Sequence, residues 1–111
     1  MRNTVVFGFV GTVLDYAGRG TQRWEKWRPT LCLCQQETLI VHRYELLYDA
    51  RSRSLFETLK KDIASVSPET EVVGVEIALH NPWDFEEMYA CLHDFARSHT
   101  FNPEEEDYLV H

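Results

Sequence analysis

A strand is predicted over residues 4–10 (TVVFGFV), near the start of the chain, where the positions from Val5 to Val10 carry no polar side chain. A continuous apolar run, rather than an alternating one, is typical of a strand buried on both faces of a parallel sheet. Residues 39–48 and 71–79 also have strand patterns, although the first half of 39–48 could instead continue a preceding helix. Residues 107–111 (DYLVH) predict the start of a fourth strand.

Three segments have helical patterns. A short helix is predicted over residues 29–37, where Pro29 suits the first helical position. A longer one is predicted over 54–66, because Ser54 and Glu57 have the spacing of a capping box. Its apolar residues fall on one face; they are Leu55, Phe56, Leu59, Ile63 and Val66.

A third helix is predicted after residue 80. Asn81 can cap it, Pro82 suits its first position, and Asp84 favours the positive N-terminal end. Its apolar residues repeat at helical spacing and are expected to form a buried stripe. They are Phe85, Met88, Tyr89, Leu92, Phe95 and Ala96.

The order of strands and helices predicts the fold class. Strands separated by helices indicate right-handed crossovers, hence an α/β fold with a Rossmann-like parallel sheet and flanking helices. The 111 residues suffice for one domain, residues 1–111. His111 ends the chain inside an apparent strand, so we expect an N-terminal fragment truncated in its fourth strand.

Composition narrows the class of protein. The net charge of −7 argues against a surface that coats nucleic acid, yet residues 19–28 carry +3 and the remainder −10. No apolar stretch is long enough to span a membrane, so a cytoplasmic protein is expected. Three cysteines without regular spacing argue against a disulfide scaffold, and Cys32-x-Cys34 lacks the second pair of ligands that a zinc site needs.

Two segments could hold an anion. Gly11 and Thr12 follow the first predicted strand, where a glycine backbone and a hydroxyl can approach a phosphate; a plain tight turn explains them equally well. Arg28 could bind a phosphate through two parallel hydrogen bonds. Trp24 and Trp27 could stack on a base or belong to the core. Neither the dinucleotide glycine motif nor the phosphate-binding loop of nucleotide hydrolases is present.

The exit of the third predicted strand carries His80, Asn81 and Trp83, at the same edge of the sheet as Gly11 and Thr12. His80 could act in acid–base chemistry, although a loop histidine without such a role is the simpler explanation. The sequence contains no arrangement that predicts a catalytic triad or a cysteine–histidine pair. We therefore predict no catalytic residues, no metal and no cofactor.

Long segments of the chain resemble the N-terminal region of the RtcR family, bacterial regulators of an operon that encodes an RNA ligase and an RNA 3′-terminal phosphate cyclase. The resemblance covers essentially all 111 residues. The segments that carry it are VVFGFVGTVLDYAG, RWEKWRPTLCLCQQE, ARSRSLFETLKKDIASVSPETEVV and HNPWDFEEMYACLHDFAR.

The resemblance implies a CARF domain, a Rossmann-like sensor that forms homodimers and binds nucleotide ligands. It implies a signal such as an RNA 2′,3′-cyclic phosphate end or a cyclic oligonucleotide. An AAA+ domain that acts with sigma-54 RNA polymerase and a DNA-binding domain would lie outside this chain, which should bind neither DNA nor a membrane. The family's first ligand element corresponds to Gly11 and Thr12; position and chemistry add Asp15, Arg28 and Trp83.

Two other functions stay open at this point. Some CARF domains cleave their own cyclic ligand, and Thr12 and Arg28 could serve such a reaction. Alternatively, the chain could be a dimerisation module without a ligand, since its phosphate motif is not a standard one.

Overall fold

The structure, a computed structural model, describes residues 2–10, 23–24, 28–36, 39–81 and 84–111. The elements along these residues are β1 (Asn3–Phe9), α1 (Pro29–Cys34), β2 (Arg43–Tyr48), a 3₁₀ turn (Ala50–Ser52), α2 (Arg53–Val66), β3 (Glu71–Glu76), α3 (Phe85–Ser98) and β4 (Glu106–Val110). The predicted loop 11–28 lies largely outside the described residues.

The four strands form one parallel sheet in the order β3-β2-β1-β4. β1 is central, and its Val5 is level with Arg43 in β2 and Tyr108 in β4. The predicted α/β class with a Rossmann-like parallel sheet is confirmed. Val5 and Val6 are fully buried, as the continuous apolar run predicts.

Two predicted strands are shorter in the structure. β2 begins at Arg43 because the His42 ring, through Nδ1, accepts the Thr4 amide hydrogen bond at 2.9 Å, which a strand partner would otherwise accept. β3 ends at Glu76 because its neighbour β2 ends at Tyr48; the last backbone contact between these two segments is from the Ile77 N–H to the Tyr48 carbonyl, 2.8 Å. Residues 77–79 therefore continue β3 without strand pairing.

The main hydrophobic core lies between the sheet and the helices α1 and α2. Tyr44 and Leu46 from β2 pack there with Phe56, Leu59 and Ile63 from α2, all nearly inaccessible to solvent. Burial of each large apolar side chain stabilises the fold by roughly 1.5–3 kcal/mol. This core explains why the one-sided apolar pattern of 54–66 predicted α2 correctly.

The other face of the sheet carries aromatic rings and paired charges. The Phe7 ring lies 5.7 Å from Phe95 in α3 and 5.1 Å from His99, centroid to centroid. His99 Nε2 is 2.7 Å from the Glu45 carboxylate, which also accepts a hydrogen bond from Arg43. These contacts fasten the C-terminal half of α3 to β1 and β2.

The start of α2 differs from the prediction. The capping box is formed not by Ser54 and Glu57 but by Asp49 and Ser52, which close the 3₁₀ turn; α2 then begins at Arg53. The helical conformation starts before Ser54 because Asp49 already accepts the Ser52 N–H, at 3.1 Å. Ser54 is therefore inside the first turn and cannot cap it.

The start of α3 also differs from the prediction. Asp84, not Asn81, is the N-cap: its carboxylate accepts the N–H groups of Glu86 and Glu87 at 3.0 and 3.3 Å. The helix begins at Phe85, after Pro82, which lies outside the described residues. A carboxylate at this position also interacts favourably with the helix dipole, which the amide of Asn81 would not.

The predicted buried stripe of α3 is wrong, because no residue of Phe85–Ser98, all of it described, is buried. At about 100° per residue the apolar residues span a wide arc. One edge of this arc, Met88 and Phe95, is partly buried, whereas Phe85 and Tyr89 at the other edge are 87% and 71% exposed.

Candidate functional site

A cleft of about 390 Å³ opens at the carboxyl edge of the sheet, where β1, β2 and the continuation of β3 end. Its wall is mostly apolar, and its polar groups come from the segment that follows β2. Apolar lining residues include Phe9, Leu47, Ile77 and Met88, and the polar ones are Asp49, Arg51 and Ser52. In open parallel sheets ligands bind beyond the carboxyl ends of the strands.

The polar corner of the cleft is centred on the Asp49 carboxylate. Its Oδ1 accepts hydrogen bonds from the backbone N–H and the hydroxyl of Ser52, at 3.1 and 3.0 Å. Its Oδ2 accepts two from Arg51, Nε at 3.1 Å and Nη2 at 2.7 Å. Burial of Asp49 opposes ionisation, but the hydrogen bonds from Arg51 and Ser52 outweigh it, so the pKa of Asp49 is lowered.

Arg51 connects two strand ends. Its Nη2 donates a hydrogen bond to Asp49 and also lies 3.4 Å from the carbonyl oxygen of Leu79, beyond the end of β3. The Arg51 side chain is 59% exposed, whereas Asp49 behind it is 15% exposed. A second hollow of about 300 Å³ adjoins this pair and reaches Ala78 and His80.

Four of the five predicted site residues, Gly11, Thr12, Asp15 and Trp83, lie outside the described residues, and their roles stay predictions. Val10, the residue before Gly11, lines the cleft, and its N–H donates to the Leu47 carbonyl at 3.0 Å. The exits of β1 and β3 thus meet at one edge of the sheet. His80 lies at this edge with its side chain 91% exposed.

Arg28, the fifth predicted residue, is buried and does not line the cleft formed by the described residues. Its Nη1 is 2.6 Å from the Asp62 carboxylate in α2, and Arg23 binds the same carboxylate at 2.8 Å. Burial by itself would raise the pKa of Asp62. The hydrogen bonds from Arg23 and Arg28 have the larger combined effect, so the pKa of Asp62 is lowered. The Arg28 guanidinium also lies 5.1 Å from the Trp24 ring.

This arrangement assigns Arg28 a structural contact. Its Nε and Nη2 have no hydrogen-bond partner within the part of the chain that the structure describes. Phosphate binding by Arg28 remains a prediction. Trp24 is 41% exposed and so is not a core residue; stacking of a base on its ring stays a prediction, and Trp27 lies outside the described residues.

Sequence reasoning missed Asp49, Arg51 and Ser52. A signal was present, because Asp49-Ala-Arg-Ser52 follows a strand and places a capping acid three residues before a serine. The signal was hidden by the stronger capping pattern of Ser54 and Glu57 next to it.

No helix among the described residues is long and apolar enough to cross a membrane. The described cysteines, Cys32, Cys34 and Cys91, are free thiols. Within the same residues no group of three or more histidine, cysteine or acidic side chains could hold a metal ion.

The chain matches the protein family described as "Regulator of RNA terminal phosphate cyclase", RtcR, over residues 2–111. It is 82% identical over 111 residues to the transcriptional regulatory protein RtcR of Escherichia coli (strain K12). The match covers 100% of this chain and 21% of that protein's length. No solved structure shows a significant match. The chain therefore belongs to the RtcR family of transcriptional regulators.

Proposed function

We propose that this chain is the ligand-sensing domain of a sigma-54-dependent transcriptional activator of RNA-repair genes. It binds a nucleotide or RNA-end signal, such as a 2′,3′-cyclic phosphate end or a cyclic oligonucleotide, and controls an AAA+ output domain elsewhere in the protein. The cleft at the carboxyl edge of the sheet, in a chain of the RtcR family, carries the proposal.

The cleft has the character of a nucleotide site. Its volume of about 390 Å³ lies within the usual range for small-molecule pockets. Its apolar wall offers a surface for a base, and the Asp49–Arg51 pair offers groups for a ribose or a phosphate. Gly11 and Thr12 directly follow Val10, so a phosphate bound by them would lie at the same edge.

A homodimer supplies the route from ligand to output. Phe85 and Tyr89 on the outward edge of α3 are 87% and 71% exposed, and this apolar edge is the surface through which we propose that two copies pack. A ligand that binds one dimer arrangement more tightly than another shifts the population toward that arrangement. The shift would change the activity of the output domain. We place this regulator in the cytoplasm.

The test is calorimetric titration of short RNAs with 2′,3′-cyclic phosphate ends, and of cyclic oligoadenylates, into the chain. We expect saturable binding of one of these ligands and its loss in Thr12→Ala. Thr100→Ala, an exposed threonine that lies after α3, is the matched control and should bind like the wild type. The same titrations are made into a protein extended past His111, and if neither ligand class binds to either protein, the sensor function is wrong.

The exposed face of α3 also favours a second candidate, a dimerisation module without a ligand. A stable dimer that binds none of the titrated ligands would support it. The relative is a transcriptional regulator, which agrees with a role other than catalysis.

A further inference from the structure

We propose that Asp49 and Arg51 form the subsite that recognises a phosphate on the ribose end of the RNA ligand. Arg51 binds the phosphate on the 2′ or 3′ oxygen, and Asp49 orients the guanidinium. This inference rests on the proposed function and names the chemical group that the cleft distinguishes.

The position of the pair in the sheet is the first argument. Asp49 directly follows β2, which is the neighbour of the central strand β1. In nucleotide-binding doubly wound sheets an acidic residue near this position binds a ribose hydroxyl, and an arginine nearby accommodates a ribose 2′-phosphate. This chain has both residue types there, two positions apart, on the wall of one cleft.

The hydrogen bonds of Asp49 and Arg51 indicate which of these two side chains contacts the ligand. Asp49 accepts four hydrogen bonds, two from Ser52 and two from Arg51, so its carboxylate has little capacity left for a ribose diol. The Arg51 side chain is 59% exposed, and the contact of Nη2 with the Leu79 carbonyl is long, 3.4 Å. Arg51 is therefore the member whose exposed guanidinium can bind an anion while it stays paired with Asp49.

The charges favour a phosphate over a hydroxyl. Arginine presents planar donors that match two phosphate oxygens, and such charge-assisted hydrogen bonds are about twice as strong as neutral ones. The Asp49 charge lies behind the guanidinium, at 15% exposure, where it fixes the orientation of Arg51. A ligand with a free 2′,3′ diol gains no comparable contact with Arg51.

The chain offers a matched control in Arg53. The Arg53 side chain is 58% exposed, almost the same as that of Arg51, and it pairs with the Glu76 carboxylate on β3. Arg53 is not among the residues that line the cleft. Its removal changes the net charge equally, which separates a local contact from general electrostatic attraction.

The experiment uses three versions of one short oligoribonucleotide, which differ only in the 3′ end: a 2′,3′-cyclic phosphate, a 3′-phosphate or a free 2′,3′ diol. Each is titrated into the wild-type chain, Arg51→Ala, Arg51→Lys and Arg53→Ala. We expect the wild type to bind a phosphate end at least about tenfold more tightly than the diol, and Arg51→Ala to lose that preference. Arg51→Lys should keep part of it, and Arg53→Ala should keep it fully.

The outcomes separate the two proposals. If the wild type binds all three ends equally, or if Arg51→Ala keeps the preference, the subsite is wrong while the sensor function stands. If the wild type binds none of them and no cyclic oligoadenylate, the sensor function fails as well. Thermal unfolding of each variant checks its fold. If Arg51→Ala is unfolded, the subsite is tested with the other two variants: a preference for phosphate ends that is equally strong in Arg51→Lys and Arg53→Ala would show that the subsite is wrong.

Discussion

At the scale of single residues, the most consequential group outside the cleft is the Asp62 carboxylate. It holds Arg28 and Arg23 at 2.6 and 2.8 Å and is itself almost fully buried. It thereby fastens the chain before α1 to the middle of α2. Buried ion pairs add little net stability when compared with apolar residues, but loss of one partner leaves an uncompensated charge.

We expect Asp62→Ala to lower the free energy of unfolding by about 3 kcal/mol, because Arg28 is left buried and unpaired. Urea denaturation at pH 7 measures the change. Asp107→Ala, which removes a surface partner of Arg2, is the control and should cost less than about 1 kcal/mol. Equal effects of the two substitutions would contradict the role given to Asp62.

A second residue-scale prediction concerns Cys34. Burial, with a smaller effect from the Glu69 charge, raises the pKa of its thiol to about 12. At pH 7.5 this thiol is protonated and inert. Brief treatment with N-ethylmaleimide should therefore label the partly exposed Cys32 and Cys91 before Cys34, as read by peptide mass spectrometry. Labelling of Cys34 first would show that the core around α1 opens readily.

At the scale of elements, β3 and α2 are in unusually close contact. A Cβ atom at Gly74 would lie 2.5 Å from Phe56 Cζ, and the Phe56 ring is stacked on Tyr48 with centroids 4.5 Å apart. The absence of a side chain at Gly74 thus lets α2 approach the sheet. The predicted strand over residues 71–79 separates this glycine from a turn glycine, but the sequence does not show which side chain packs against it.

Gly74→Ala should destabilise the chain by about 1–3 kcal/mol, because the Phe56 ring must shift. Gly8→Ala is a control in the neighbouring part of the sheet, where the nearest atom to a Cβ is 3.1 Å away and a smaller effect is expected. Combining Gly74→Ala with Phe56→Leu should recover part of the loss in a double-mutant cycle. Additive effects would contradict the proposed clash.

The two edges of α3 should respond differently to substitution. Phe85→Ser with Tyr89→Ser removes apolar groups that are largely exposed, so the stability of the monomer should change by less than about 0.5 kcal/mol. The same double variant should abolish the proposed dimer in sedimentation experiments. Phe95→Ser, on the inward edge against Phe7, should instead cost about 2 kcal/mol. A dimer unaffected by the double variant would place the interface elsewhere.

At the scale of the whole molecule, the fold could be predicted because apolar runs and helical stripes record which elements are buried. The exposed edge of α3 could not be predicted, since periodicity shows that a face is apolar but not what covers it. The polar corner of the cleft was hidden for a related reason. Arg51 contacts Asp49 two residues before it, but it lies 28 residues from Leu79 in the chain, and the pairing of β2 with β3 is what brings these two residues together.

Stability of the whole chain should fall in acid. The pKa values of Asp49, Asp62 and Glu106 are all lowered in the folded chain; for Glu106 the main cause is the hydrogen bond from Arg43. Their contributions are complete above the unfolded pKa values, about 4, and are lost as the pH falls through the lower folded values.

Urea denaturation should accordingly give a free energy of unfolding that is steady near neutral pH and declines below about pH 4. Asp62→Asn should be less stable than the wild type at pH 7 but approach it at pH 3, because the difference between them is the ionised carboxylate. A constant gap between the two proteins across this range would contradict the lowered pKa of Asp62.

The pairing of β1 with β4 has a mechanical consequence. The two strands are parallel neighbours joined in register from Asn3–Glu106 to Phe7–Val110. Tension applied between the beginning of β1 and the end of β4 therefore loads their hydrogen bonds in shear, so that the bonds resist together instead of unzipping one by one. A displacement imposed at the end of β4 passes directly into β1, whose own end borders the cleft.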